Sequence, residues 1–192
     1  ANAEEINVDA DTYFHLWEAV RAEANRPGIE MQLVMMYAHG PFVPPIFAFS
    51  CAETLGLGLR RLADFKLLIG PISMDVTRRD TGLTVTLRPS EPGLTTSPSH
   101  GLFEILYITE CARTFTGKLL RPTATSLPGA LEVGPETLDY LGGPPQVTGE
   151  VSLSFAPRDA DLPLITSSAA FWEMLEPGFL EQLQERTGAA PL

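Results

Sequence analysis

The sequence predicts an α+β domain, an antiparallel sheet with several helices flanking it. Residues 72–87 alternate apolar and polar side chains in two runs joined by Arg79-Asp80-Thr81-Gly82, as a hairpin does. The stretch just before, residues 54–68, spaces its leucines for a helix and stops at Ile69-Gly70-Pro71. Helical spacing also dominates the first 70 residues. A chain of 192 residues with 44% hydrophobic content suits one domain, and its 17 prolines and 16 glycines are spread over connections rather than gathered in a dividing linker.

Taken from the N-terminus, Asp11 or Thr12 caps a first helix carrying Tyr13, Phe14, Trp17 and Val20, which Asn25-Arg26-Pro27-Gly28 ends. Residues 29–39 form a second, shorter helix with Met31, Leu33, Val34, Met35 and Tyr37. Pro44-Pro45 opens a third, because the fixed φ of proline suits a first turn, and Ile46, Phe47, Phe49 and Ala52 supply its buried side. Thr54 caps the fourth. In the hairpin, Ile72, Met74 and Val76 alternate with Ser73, Asp75 and Thr77, and Leu83, Val85 and Leu87 alternate with Thr84 and Thr86. One face is therefore buried and the other wet. Gly82 supplies the positive φ of a short bulged loop.

Residues 89–100 lack periodicity and read as a loop. Ser99 begins a strong helix with Leu102, Ile105, Leu106, Thr109, Ala112 and Phe115 on one face, and Gly117 stops it. Residues 123–127 read as a strand and 135–141 as a short helix, while Val151, Leu153 and Phe155 mark a further strand. Ser167 or Ser168 caps a last helix, which Pro177 is expected to kink or split.

Composition excludes several functions. A net charge of −11 repels phosphate backbones, so this chain is not expected to touch DNA itself. Cys51 and Cys111 sit alone in apolar settings and read as buried thiols rather than a disulfide. No apolar run reaches the roughly 18–20 residues that span a bilayer, and no secretory signal is visible. A cytoplasmic protein without membrane contact is expected.

Catalytic signatures are lacking too. His15, His39 and His100 are far apart and none has a metal-ligand spacing, so no metal is expected. Gly56-Leu57-Gly58 lacks the third glycine and the preceding strand of a dinucleotide loop, and close helix packing accounts for it better. Ser99-His100 has no nameable acid partner for a triad. Glu104 and Glu110 lie about 240° apart around their helix and cannot converge on one site; both read as solvated residues. Neither an enzyme nor a cofactor is expected.

Binding chemistry has better candidates. Within the stretch Met35, Met36, Tyr37, His39, Phe42, Phe47 and Phe49, most side chains are core filling, but Tyr37 and His39 bring polar tips into an apolar setting. Tyr107 and Cys111, one turn apart, share a helix face that suits a cavity wall. The expected ligand-binding set is Tyr37, His39, Phe49, Tyr107 and Cys111. On the last helix Phe171, Trp172, Leu175 and Phe179 form an apolar stripe, which packs either onto its own chain or against a second copy in a homodimer.

The run Leu59-Arg60-Arg61-Leu62-Ala63-Asp64-Phe65-Lys66-Leu67-Leu68-Ile69-Gly70-Pro71 resembles the "RLAxYxRLL(G)P" helix end of the arabinose-binding-type N-terminal domain of AraC-family regulators. The hairpin, the helix at 102–115 and the segment from Leu138-Asp139-Tyr140-Leu141 to Phe155 follow that domain's order. The resemblance departs at Asp64-Phe65-Lys66 and at Gly56 and Gly58. It implies an effector-binding and dimerisation domain over residues 1–186, with 187–192 starting a linker to a C-terminal helix-turn-helix domain that this sequence lacks. The implied partners are a small-molecule effector, a second copy of the chain, and DNA only through that absent domain. The family also implies a rival fold, a cupin-like barrel with helices, against which the helix-rich first 70 residues speak. A dimerisation or protein-interaction scaffold without a small ligand is the alternative function.

Overall fold

The first helix, α1 (Ala10–Ala24), begins where the Asp9 carboxylate accepts a 2.7 Å bond from the Thr12 N–H, satisfying a donor that the helix leaves unpaired. Asp11 and Thr12, the expected caps, already lie inside its first turn. The computed structural model describes residues 8–38, 40 and 43–188. Helices α2 (Ile29–Ala38) and α3 (Pro44–Ser50) follow, the latter with both prolines in its first turn as expected. Thr54 caps α4 (Leu55–Phe65) by accepting from the Leu57 N–H at 3.3 Å. A Cβ on Gly58 would stand 2.3 Å from the Phe49 ring, so close packing of α3 on α4 demands glycine there. A 3-10 turn, Lys66–Leu68, leads into the sheet.

Strands β1 (Ile72–Arg79) and β2 (Gly82–Pro89) pair antiparallel, with Arg79 opposite Gly82 across the turn residues Asp80 and Thr81. Gly82 does take a positive φ, +152°, and a Cβ there would stand only 2.5 Å from the Phe155 carbonyl oxygen. Helix α5 (Pro98–Thr116) starts one residue before the expected Ser99, because Ser97 caps it by accepting from the His100 N–H; Gly117 ends it in the left-handed conformation. Next come β3 (Ala124–Leu127), α6 (Pro135–Leu141), β4 (Gln146–Val147), β5 (Val151–Phe155), a 3-10 turn at Pro157–Asp161, and α7 (Ala169–Thr187), capped by Ser168.

The strand order is β1-β2-β5-β3-β4. The first four are antiparallel, as expected, while β4 runs parallel to β3. Two residues are too few for β4 to show alternation in sequence. The sheet is open, so the fold is α+β and the barrel alternative falls.

Helix α5 runs through the core, with 15 of its 19 residues buried. Towards the sheet, a Cβ on Gly101 would stand 2.8 Å from a Val151 methyl, so helix and strand meet there without an intervening side chain. Towards α1 and α2 it presents His100 and Phe103, whose rings meet Trp17, with Tyr37 also on Phe103, and Tyr107, which stacks on Phe103. Burial on both sides corrects the solvated reading of its glutamates. Glu104 is 3% exposed, and Glu110 is half-buried, accepting a 2.5 Å bond from the Tyr140 hydroxyl.

Helix α7 runs unbroken through Pro177, contrary to a split. Anchors on both sides of the proline hold it: Trp172 and Phe179 pack on Phe65, with ring centroids 5.9 and 5.6 Å away. The Arg61 guanidinium lies 4.4 Å from the centre of the Trp172 ring. Among the described residues no helix is long and apolar enough to cross a membrane.

Candidate functional site

Helices α1, α2 and α5 line a half-open cavity of about 330 Å³, in the size range of small-molecule sites, with Leu16, Val20 and Tyr37 exposed at its rim. Helical spacing builds each wall. Positions 13, 16, 17 and 20 of α1 fall on one side and contribute Tyr13, Leu16, Trp17 and Val20; α2 supplies Leu33 and Tyr37, four apart; α5 supplies Phe103, Glu104 and Tyr107. Lys66 and Ile69 reach it from around the 3-10 turn, and Val43 completes the lining. The rings form a continuous surface. Trp17 and Phe103 have centroids 4.5 Å apart, Phe103 stacks on Tyr107 at 5.7 Å, and Tyr37 meets Phe103 edge-on at 5.9 Å.

Polar groups gather at the base of this apolar space. The Lys66 ammonium donates to both carboxylate oxygens of Glu104, at 3.0 and 2.8 Å, and these side chains are only 3% and 4% exposed. His100 Nε2 lies 3.7 Å from Glu104 Oε1 and 3.3 Å from the Tyr13 hydroxyl. Burial pushes the His100 pKa down to about 4, against the pull of Glu104, so the ring is neutral at pH 7. Its Nδ1 has no hydrogen-bond partner among the described residues. Burial also raises the Tyr13 and Tyr107 phenols above their ordinary range, so both stay protonated.

A second buried carboxylate joins the three helices. Glu30 of α2 accepts a 2.7 Å bond from the Ser99 hydroxyl of α5, and its same oxygen lies 3.6 Å from Arg21 Nε of α1. Ser99 thus engages Glu30 while His100 engages Tyr13 and Glu104, which is no hydrolytic triad.

Of the expected ligand-binding residues, Tyr37 and Tyr107 line the cavity. They also meet Cys111 around a separate crevice of about 10 Å³, room for a water molecule at most. Cys111 is buried, and burial pushes its thiol up to about 12, leaving it unreactive. Phe49 is fully buried, edge-on to Phe115, and belongs to the core rather than the cavity wall. His39 lies outside the described residues, as does Phe42. Trp172 and Phe179 are buried against their own chain, Leu175 packs partly against them, and Phe171 is 41% exposed. Sequence reasoning missed Tyr13, Trp17, Lys66, Phe103 and the His100–Glu104 pair as site residues. Two ionisable groups four apart in an otherwise apolar helix were the available signal.

The fold is thus an open-sheet α+β domain with a cavity of small-molecule size among three helices. The chain belongs to the arabinose-binding domains found at the N-terminus of AraC transcription regulators, whose family model matches residues 2–164. Its fold resembles that in the crystal structure of the transcriptional regulator CdpR from Pseudomonas aeruginosa, with a TM-score of 0.62 and 15% identity over 97% of this chain and 68% of that one. At that identity the likeness is one of fold. Among curated proteins no sequence match is found.

Proposed function

We propose that this domain binds a small effector in the cavity between α1, α2 and α5 and thereby modulates DNA binding by a C-terminal domain of the same regulator. The observation that supports this reading is the cavity itself: about 330 Å³, walled by three helices and floored by a buried ion pair. A ligand there touches three elements at once. It acts by binding one arrangement of those helices better than another, and it shifts the population by that difference in affinity.

The test is operator binding by the full regulator with and without a panel of metabolites, repeated with Leu33→Trp, which fills the cavity. An effector that changes operator affinity in the natural protein should lose its influence in the variant. Metabolites acting equally on both would place sensing elsewhere.

Self-association through α7 is the companion reading. Trp172 and Phe179 are committed to intrachain packing, which leaves Phe171 and Met174, 41% and 65% exposed and one turn apart, as the apolar contact. Sedimentation should show a dimer that Met174→Glu weakens; a monomer at every concentration would remove this interface.

A further inference from the structure

We propose that the cavity takes a neutral small molecule with a flat, aromatic-like apolar body and one hydrogen-bond acceptor at its head, and not a sugar. The inference rests on the cavity being the effector site and adds the chemical class of its occupant.

The body follows from the walls. Trp17, Tyr37, Phe103 and Tyr107 present ring faces and edges 4.5 to 5.9 Å apart, which favour offset or edge-on contact with another ring. Leu16, Val20, Leu33, Val43 and Ile69 add side chains without polar atoms, and the charged groups, Lys66 and Glu104, are paired with each other. A monosaccharide carries hydroxyls around its whole ring. Those facing Leu16, Val20, Leu33, Val43 and Ile69 would lose water without gaining a partner, which opposes binding.

The head follows from the base. Lys66, which lines the cavity, has three N–H donors and gives two bonds to Glu104, so one remains for an acceptor. The charges at the base already cancel. Lys66 balances Glu104, His100 is neutral at pH 7, and the Tyr13 phenol is protonated. A carboxylate head would add a second anion beside Glu104, and an ammonium head a second cation beside Lys66. Either leaves an uncompensated charge out of water. A hydroxyl, carbonyl or amide does not.

Titration calorimetry at pH 7 with four probes tests this: 2-phenylethanol, phenylacetate, phenethylamine and L-arabinose. The first should bind more tightly than each of the other three by about tenfold or more. Trp17→Ala, checked for intact folding by circular dichroism, should weaken that binding. Tighter binding of phenylacetate, phenethylamine or arabinose, lost in Leu33→Trp, would overturn the ligand class and leave cavity sensing standing. If none of the four binds at millimolar concentration, the ligand class falls, while the cavity assignment stands or falls on the metabolite panel with Leu33→Trp.

Discussion

Lys66 and Glu104 are 38 positions apart in sequence and make a two-bond ion pair almost out of reach of solvent. Such a pair is held mainly because each partner keeps the other from being a lone buried charge. Lys66→Met should therefore cost about 3–5 kcal/mol in urea unfolding, and adding Glu104→Leu should recover most of it. A loss below about 1 kcal/mol in the single variant would mean that water reaches Glu104 freely. His100 gives a second test at this scale. Unfolding returns its pKa from about 4 to 6.5, so between those values the unfolded chain takes up a proton that the folded one refuses. Stability then falls as pH drops from 6.5 towards 4, by on the order of 3 kcal/mol. His100→Gln should flatten that slope, the wild-type minus variant difference separating it from carboxylate effects; parallel slopes would refute the assignment.

Helix α4 shows how one glycine decides an inter-helix distance. At Gly58 the gain in helix propensity from alanine, about 1 kcal/mol, is opposed by a collision with the Phe49 ring 2.3 Å away. Overpacking outweighs propensity here, and Gly58→Ala should lower stability by about 1–3 kcal/mol. A rise in melting temperature would show that Phe49 moves aside without strain. The glycine pair in residues 54–68 was legible as packing because it interrupts an otherwise helical pattern. The hairpin was legible because alternation and turn residues agreed. The two early caps, Asp9 and Ser97, were not, since each has another polar residue two places on that fits the same pattern. The split offered at Pro177 does not occur, because Trp172 and Phe179 dock on Phe65 on either side of it, a tertiary contact that local propensity does not encode.

For the whole molecule, the order of elements and the α+β class could be read along the chain, whereas the site could be read only in part. Tyr37 stood out as a polar tip among apolar neighbours, and Tyr107 as sharing a helix face with Cys111. The rest of the wall comes from α1 and the 3-10 turn, and only folding brings Trp17 and Lys66 to Phe103 and Glu104. Phe49 has the same residue type as the wall aromatics and differs only in depth. A net charge of −11 works against contact between this domain and a phosphate backbone.

We propose that an effector sits in the space between α1, α2 and α5. Thermal melting of the wild-type and Leu33→Trp domains against one metabolite panel tests it most directly. A true effector at 100 times its dissociation constant should stabilise the wild type by about 2.7 kcal/mol and leave the filled variant unmoved. An equal upward shift in both would contradict the claim.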